Sequence, residues 1–117
     1  MTAIGNGHMF GHRAAFRTYE TQDHTKALVW YTTFRTDQEA KNAIKQSLRG
    51  HQVSVTEGIK DTNGRVIGDR ITARSEGPQE EFMVIQRQSL NCWIIQSTSL
   101  EVATQVAGWI EAPGDKN

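Results

Sequence analysis

Few side chains in this sequence are suited to covalent or acid–base chemistry, and their spacing decides what each can do. The four histidines are His8, His12, His24 and His51. His8 and His12 have the i, i+4 spacing by which a helix presents two metal ligands on one face. Asn6, Gly7 and Gly11 oppose a helix there, and no carboxylate motif accompanies the pair, so no metal site is expected. His24 and His51 fall at a turn and at a strand edge, where an exposed imidazole needs no special role. The single cysteine, Cys92, would act as a nucleophile only beside a histidine and an acid. No histidine lies near it in the sequence, and Trp93, Ile94 and Ile95 follow it, so it reads as a small buried core residue.

Glu57, Asp61, Asp69, Glu80 and Glu81 are the carboxylates that could pair for acid–base work, yet their placement on strands and turns is that of solvated edges. Gly64-Arg65-Val66-Ile67-Gly68 has two glycines but no Gly-Lys-Ser/Thr and no helix after it, so it is neither a phosphate-cradling loop nor a dinucleotide fingerprint. No catalytic residue and no cofactor is therefore expected.

Binding chemistry is better represented. Arg65, Arg70, Arg74 and Arg87 alternate with Gln86, Gln88 and Gln96 along three expected strands, with Trp30, Tyr31 and Trp93 on the same sheet. Arginine and aromatic groups on an open sheet can stack and hold single-stranded RNA. Here Glu57, Asp69 and Glu81 offset the arginines and the aromatic-glycine signature of RNA-binding sheets is missing, so nucleic acid is not an expected partner. A pocket between helices and sheet that binds a small ligand or performs simple acid–base chemistry is the other reading, with Trp30, Tyr31, Arg70 and Trp93 as its lining candidates.

The elements that must position these residues follow from pattern. With 117 residues, 13 basic against 13 acidic side chains and 37% hydrophobic residues, the chain has the size and balance of one folded domain, with no charge excess to draw it to nucleic acid or an anionic membrane. No apolar run is long enough to span a bilayer. Residues 1–11 have no apolar periodicity and read as a flexible N-terminal tail. They also lack the basic and apolar regions of a signal peptide, which favours a cytoplasmic location; an extracytoplasmic one would require a signal already removed.

Ala14 to Glu20 alternates with period two, and Lys26 to Phe34 is dense in strand-forming residues, so the two make a hairpin. Thr36 with Glu39 has capping-box spacing before the stripe Ala40, Ala43, Ile44, Leu48, which predicts a helix. Asn63-Gly64 predicts a type I′ turn joining His51 to Lys60 with Arg65 to Arg74, and Gly68 suggests a bulge. Glu81 to Gln88 and Cys92 to Ser97 form a third hairpin. Thr98 with Glu101 repeats the capping-box spacing before a last helix striped with Leu100, Ala103, Val106, Ala107 and Ile110.

The expected fold is thus α+β, a sheet of about six mainly antiparallel strands with two helices on one face, in the order ββαββββα. The domain spans residues 12–112, and residues 113–117 form a C-terminal tail. Two helices on one face leave the other open, and large side chains of both parities would reach it. That arrangement predicts a small binding or interaction domain that self-associates through its sheet, with a homodimer as its simplest form.

Overall fold

In the computed structural model the chain is described over residues 2–9, 12–78 and 80–110. Strands β1 (Thr2–Met9), β2 (His12–Glu20) and β3 (Lys26–Thr33) precede helix α1 (Asp37–Ser47). Strands β4 (His51–Lys60), β5 (Val66–Ser75), β6 (Phe82–Gln88) and β7 (Asn91–Ser97) follow, then helix α2 (Leu100–Ile110). The strands form one antiparallel seven-stranded sheet in the order β1-β2-β3-β7-β6-β5-β4.

The fold is α+β, and the six strands and two helices expected from pattern are all present in the expected order. The seventh strand comes from the segment read as a tail: Thr2–Met9 pairs along its length with β2. An edge strand needs only one row of backbone hydrogen bonds to its neighbour, so apolar periodicity is not required to place it. His8 and His12 accordingly sit on two paired strands, not on a helix face. The segment 113–117 lies outside the described residues.

Side chains directly opposite across paired strands share a face. Ile71, Ile85, Ile94, Trp30 and Phe16 stand opposite one another in successive registers and define the first face. Thr72, Val84, Ile95, Val29 and Arg17 define the second. Ala40 and Ala43 of α1 pack with Phe34, Met83, Ile85, Cys92 and Ile94 on the first face. Ala103, Val106 and Ala107 of α2 pack with Ala27, Val29, Val84 and Ile95 on the second.

The helices therefore lie on opposite faces, not on one as expected. The connectivity gives the reason. α1 carries the chain from β3, in mid-sheet, to β4 at the far edge, and so must cross over β7, β6 and β5. α2 follows β7 and turns back onto the face that crossover leaves bare, packing on β6, β7 and β3. The central strands are thus covered on both sides, while β4 is exposed along most of its length.

Local chemistry fixes the ends. Thr36 caps α1 as expected: its hydroxyl accepts from the Glu39 amide at 3.1 Å, while the Glu39 carboxylate accepts from the Arg35 amide at 3.0 Å. α2 is capped by Ser99 instead of Thr98, its hydroxyl accepting from the Val102 amide at 3.2 Å. β7 continues in register to Ser97, whose hydroxyl donates to the Lys26 carbonyl at 2.8 Å, so Thr98 is spent on the link and Ser99 stands next to the first helical residue.

The β4–β5 turn is not type I′, because Gly64 takes a positive φ of 79° and Asn63 does not. The Asp61 carboxylate organises it instead, accepting from the Asn63 and Arg65 amides at 2.9 and 3.0 Å. A register shift lies beside Gly68, between Ile59 and Lys60. Gly68 itself is required by contact: a Cβ there would sit 2.0 Å from the Arg87 carbonyl oxygen.

Candidate functional site

On the second face, one row of side chains runs across the sheet. Glu57 stands opposite Arg70, Arg70 opposite Gln86, Gln86 opposite Trp93, Trp93 opposite Tyr31, and Tyr31 opposite Ala15. Three of the four expected pocket residues, Tyr31, Arg70 and Trp93, therefore belong to one row. Trp30 does not: it lies on the first face, packed on the cluster beneath α1 and tilted against Phe16 with ring centroids 5.0 Å apart. Neighbouring residues of one strand point to opposite faces, and Trp30, on the far side of β3 from Tyr31, does not line the cleft beside Tyr31 and Trp93.

The two ends of the row differ in character. At one end the Arg70 guanidinium donates to the Gln86 side-chain oxygen at 2.8 Å and pairs with Glu57 at 3.4 Å. Gln86 is fully buried, and its amide nitrogen has no hydrogen-bond partner among the described residues. Strand β6 supplies it between Ile85 and Arg87, where apolar burial on both faces carries a polar residue inside. This pair is a polar strut, with Arg70 oriented by two acceptors and already charge-matched.

At the other end the Tyr31 and Trp93 rings tilt against each other with centroids 5.1 Å apart. The Tyr31 hydroxyl donates to Asn91 Oδ1 at 3.0 Å, which fixes the ring. Beside them a cleft of about 260 Å³ opens, lined by Ala15, Phe16, Arg17, Tyr19, Val29, Tyr31 and Trp93. Each lining residue has its place by register. Val29 is buried on β3, opposite Arg17, and belongs to the cluster under α2. Arg17 and Tyr19 stand on β2, with an Arg17 nitrogen donating to the Tyr19 hydroxyl at 3.3 Å. Ala15, opposite Tyr31, is small and leaves that end open.

Arg70 thus stays on the same row but does not line the cleft, and Ala15, Phe16, Arg17, Tyr19 and Val29 line it without having been expected. The alternation Ala15, Arg17, Tyr19 was visible in the sequence. What pairs it with Val29 and Tyr31 is the hairpin register, which the turn Gln22 to Thr25 sets and composition does not reveal. Two other depressions, of about 380 and 450 Å³, lie over the β5–β6 loop near Pro78 and over strand ends near Lys26, and neither is lined by an aromatic side chain.

The groups considered for catalysis fall elsewhere. Cys92 is buried among Ala14, Phe34 and Ile94, and burial pushes its thiol up to about 12, the opposite of thiolate activation. Arg87, opposite Cys92, pairs with Asp37 at the start of α1. His24 is exposed in its turn and bonds Glu20 at 2.7 Å, an interaction that holds the Glu20 carboxyl below its usual range. Among the described residues no three His, Cys, Asp or Glu side chains cluster as a metal site, and no helix is long and apolar enough to cross a membrane. No protein-family model matches the chain, and no curated protein or solved structure matches it.

Proposed function

We propose that this domain is a binding module whose site is the Tyr31–Trp93 cleft and whose occupant is a small, flat, largely apolar molecule. One observation carries the reading: two aromatic rings and the buried Val29 converge on a recess that Ala15 leaves open at one end. Concave sites that mix aromatic walls with a few polar groups are where small ligands bind. The volume, about 260 Å³, is below the ~300–1,000 Å³ of drug-sized sites, which limits the occupant to a single ring system with a short substituent. Screening single-ring compounds, neutral and charged, against ¹⁵N-labelled protein tests this. Shifts confined to Ala15, Val29, Tyr31 and Trp93 are the expected result. A screen in which no compound moves these residues, or in which shifts gather elsewhere, overturns it.

Self-association is the second reading, and exposed apolar side chains on one hairpin support it. Val53 and Val55 on edge strand β4 are 45% and 49% exposed, and Val66 and Ile67 on β5 are 60% and 39% exposed. Val53 and Val55 stand opposite the adjacent residues Ala73 and Thr72, so the exposed apolar side chains lie on both sides of this edge hairpin, where either side favours contact with a second copy. The register shift between Val53 and Val55 interrupts the ladder in mid-strand, which disfavours continuous edge-to-edge pairing and leaves packing of side chains as the mode. The original ground for a dimer, a whole open sheet face, does not apply to a sheet with a helix on each side.

A further inference from the structure

We infer that the cleft takes a flat apolar carboxylate, with Arg17 as its counter-ion; the inference rests on the cleft being a ligand site and names the chemical class it accepts. Arg70 is matched by Glu57 and Arg87 by Asp37, so each holds a carboxylate of the same chain. Arg17 has no carboxylate within ion-pair distance among the described residues, and its one side-chain bond there is to the Tyr19 hydroxyl at 3.3 Å. Among the described residues no acidic side chain lines the cleft to compete for the guanidinium.

Position gives this charge its meaning. Arg17 stands opposite Val29, and on β2 it lies between Ala15 and Tyr19 on the same face. An apolar ring over Val29 and against Tyr31 and Trp93 would therefore have Arg17 at its margin. A guanidinium presents a planar fork of donors that matches the two oxygens of a carboxylate, and a hydrogen bond assisted by charge is stronger than a neutral one. Among the described residues Arg17 is the only cation lining the cleft, which matches one negative charge; a phosphate dianion would need a second. The size of the recess confines the apolar part to one ring system.

Phenylacetate and its neutral isostere phenylacetamide separate the ring contribution from the charge. Both are titrated into wild-type protein and into Arg17→Gln, following the Tyr31 and Val29 amides and the Trp93 indole by NMR. Arg17 is exposed, so the variant folds as wild type does, which its spectrum verifies. Phenylacetate is expected to bind about tenfold more tightly than phenylacetamide to wild type, as one charge-assisted pair implies, and to lose that advantage in Arg17→Gln. Equal affinities of the two probes at Tyr31 and Trp93, or an advantage that survives in Arg17→Gln, overturn the carboxylate assignment while leaving the ligand site standing. If neither probe moves Tyr31 or Trp93, the carboxylate assignment falls as well.

Discussion

Gly68→Ala is the substitution whose cost the geometry states most directly. An added Cβ would lie 2.0 Å from the Arg87 carbonyl oxygen and 3.0 Å from its carbon, both atoms of the β6 backbone and so unable to rotate away. Restoring an ordinary contact requires β5 and β6 to part by roughly 1 Å, and a displacement of that size carries a backbone hydrogen bond of about 2.9 Å out of bonding range. The neighbouring registered pair is Asp69 with Arg87, followed by Arg70 with Gln86. Losing one or two ladder bonds at about 1 kcal/mol each, with about 1–2 kcal/mol of overpacking strain, gives a destabilisation of about 3 kcal/mol. That is a large part of the ~5–15 kcal/mol that holds a domain folded. Urea unfolding reads it as a midpoint lowered by about 1–2 M. Gly77→Ala is the control, since its added Cβ meets nothing within 4 Å, and its midpoint should stay near wild type. A Gly68→Ala midpoint indistinguishable from that of Gly77→Ala would refute the close approach of β5 to β6 that sets the Arg70–Gln86 row.

Two further outcomes follow from the same structure. Ser99→Ala should cost about 1 kcal/mol in the same assay by removing the cap on the Val102 amide, whereas Thr98→Ala should cost a few tenths at most; the reverse order would return the cap to Thr98. Sedimentation equilibrium over the micromolar range should show association that Val53→Lys with Val66→Lys weakens, and a mass of one 13.1 kDa chain with no concentration dependence would remove the self-association reading.

Much of the fold was legible because its signals are local. Period-two alternation in β2, the β-branched and aromatic run of β3, and the Thr36–Glu39 spacing each depend on residues within a few positions of one another. What was not legible depends on parity and register between distant strands. The stripes Ala40–Ala43 and Ala103–Val106–Ala107 show that each helix buries one side, but they do not say which face of the sheet receives it; the order β3-β7-β6-β5-β4 decides that. β1 was not legible because an edge strand can be held by its backbone, and its sequence, with two glycines in eight residues, has no apolar periodicity.

The candidate site divides in the same way. Tyr31 and Trp93 were accessible as large aromatics on strands, and strand parity alone would have separated Trp30 from them. Arg17 and Val29 needed the pairing of β2 with β3 before they could be seen as neighbours. Gln86 departs from pattern in another way, as a polar side chain fully buried in an apolar strand. Its oxygen accepts from Arg70, which accounts for part of its polar capacity.

A binding site at the Tyr31–Trp93 cleft should be closed by a side chain that fills it. Ala15 is exposed and opposite Tyr31, so Ala15→Trp places an indole across the open end without disturbing the core, and Val66→Trp adds the same ring at an exposed position away from the cleft. Isothermal titration of phenylacetate into wild type and both variants gives the answer. Ala15→Trp is expected to weaken binding at least about tenfold while Val66→Trp leaves it within about twofold of wild type; equal affinity in all three proteins would place the binding site elsewhere.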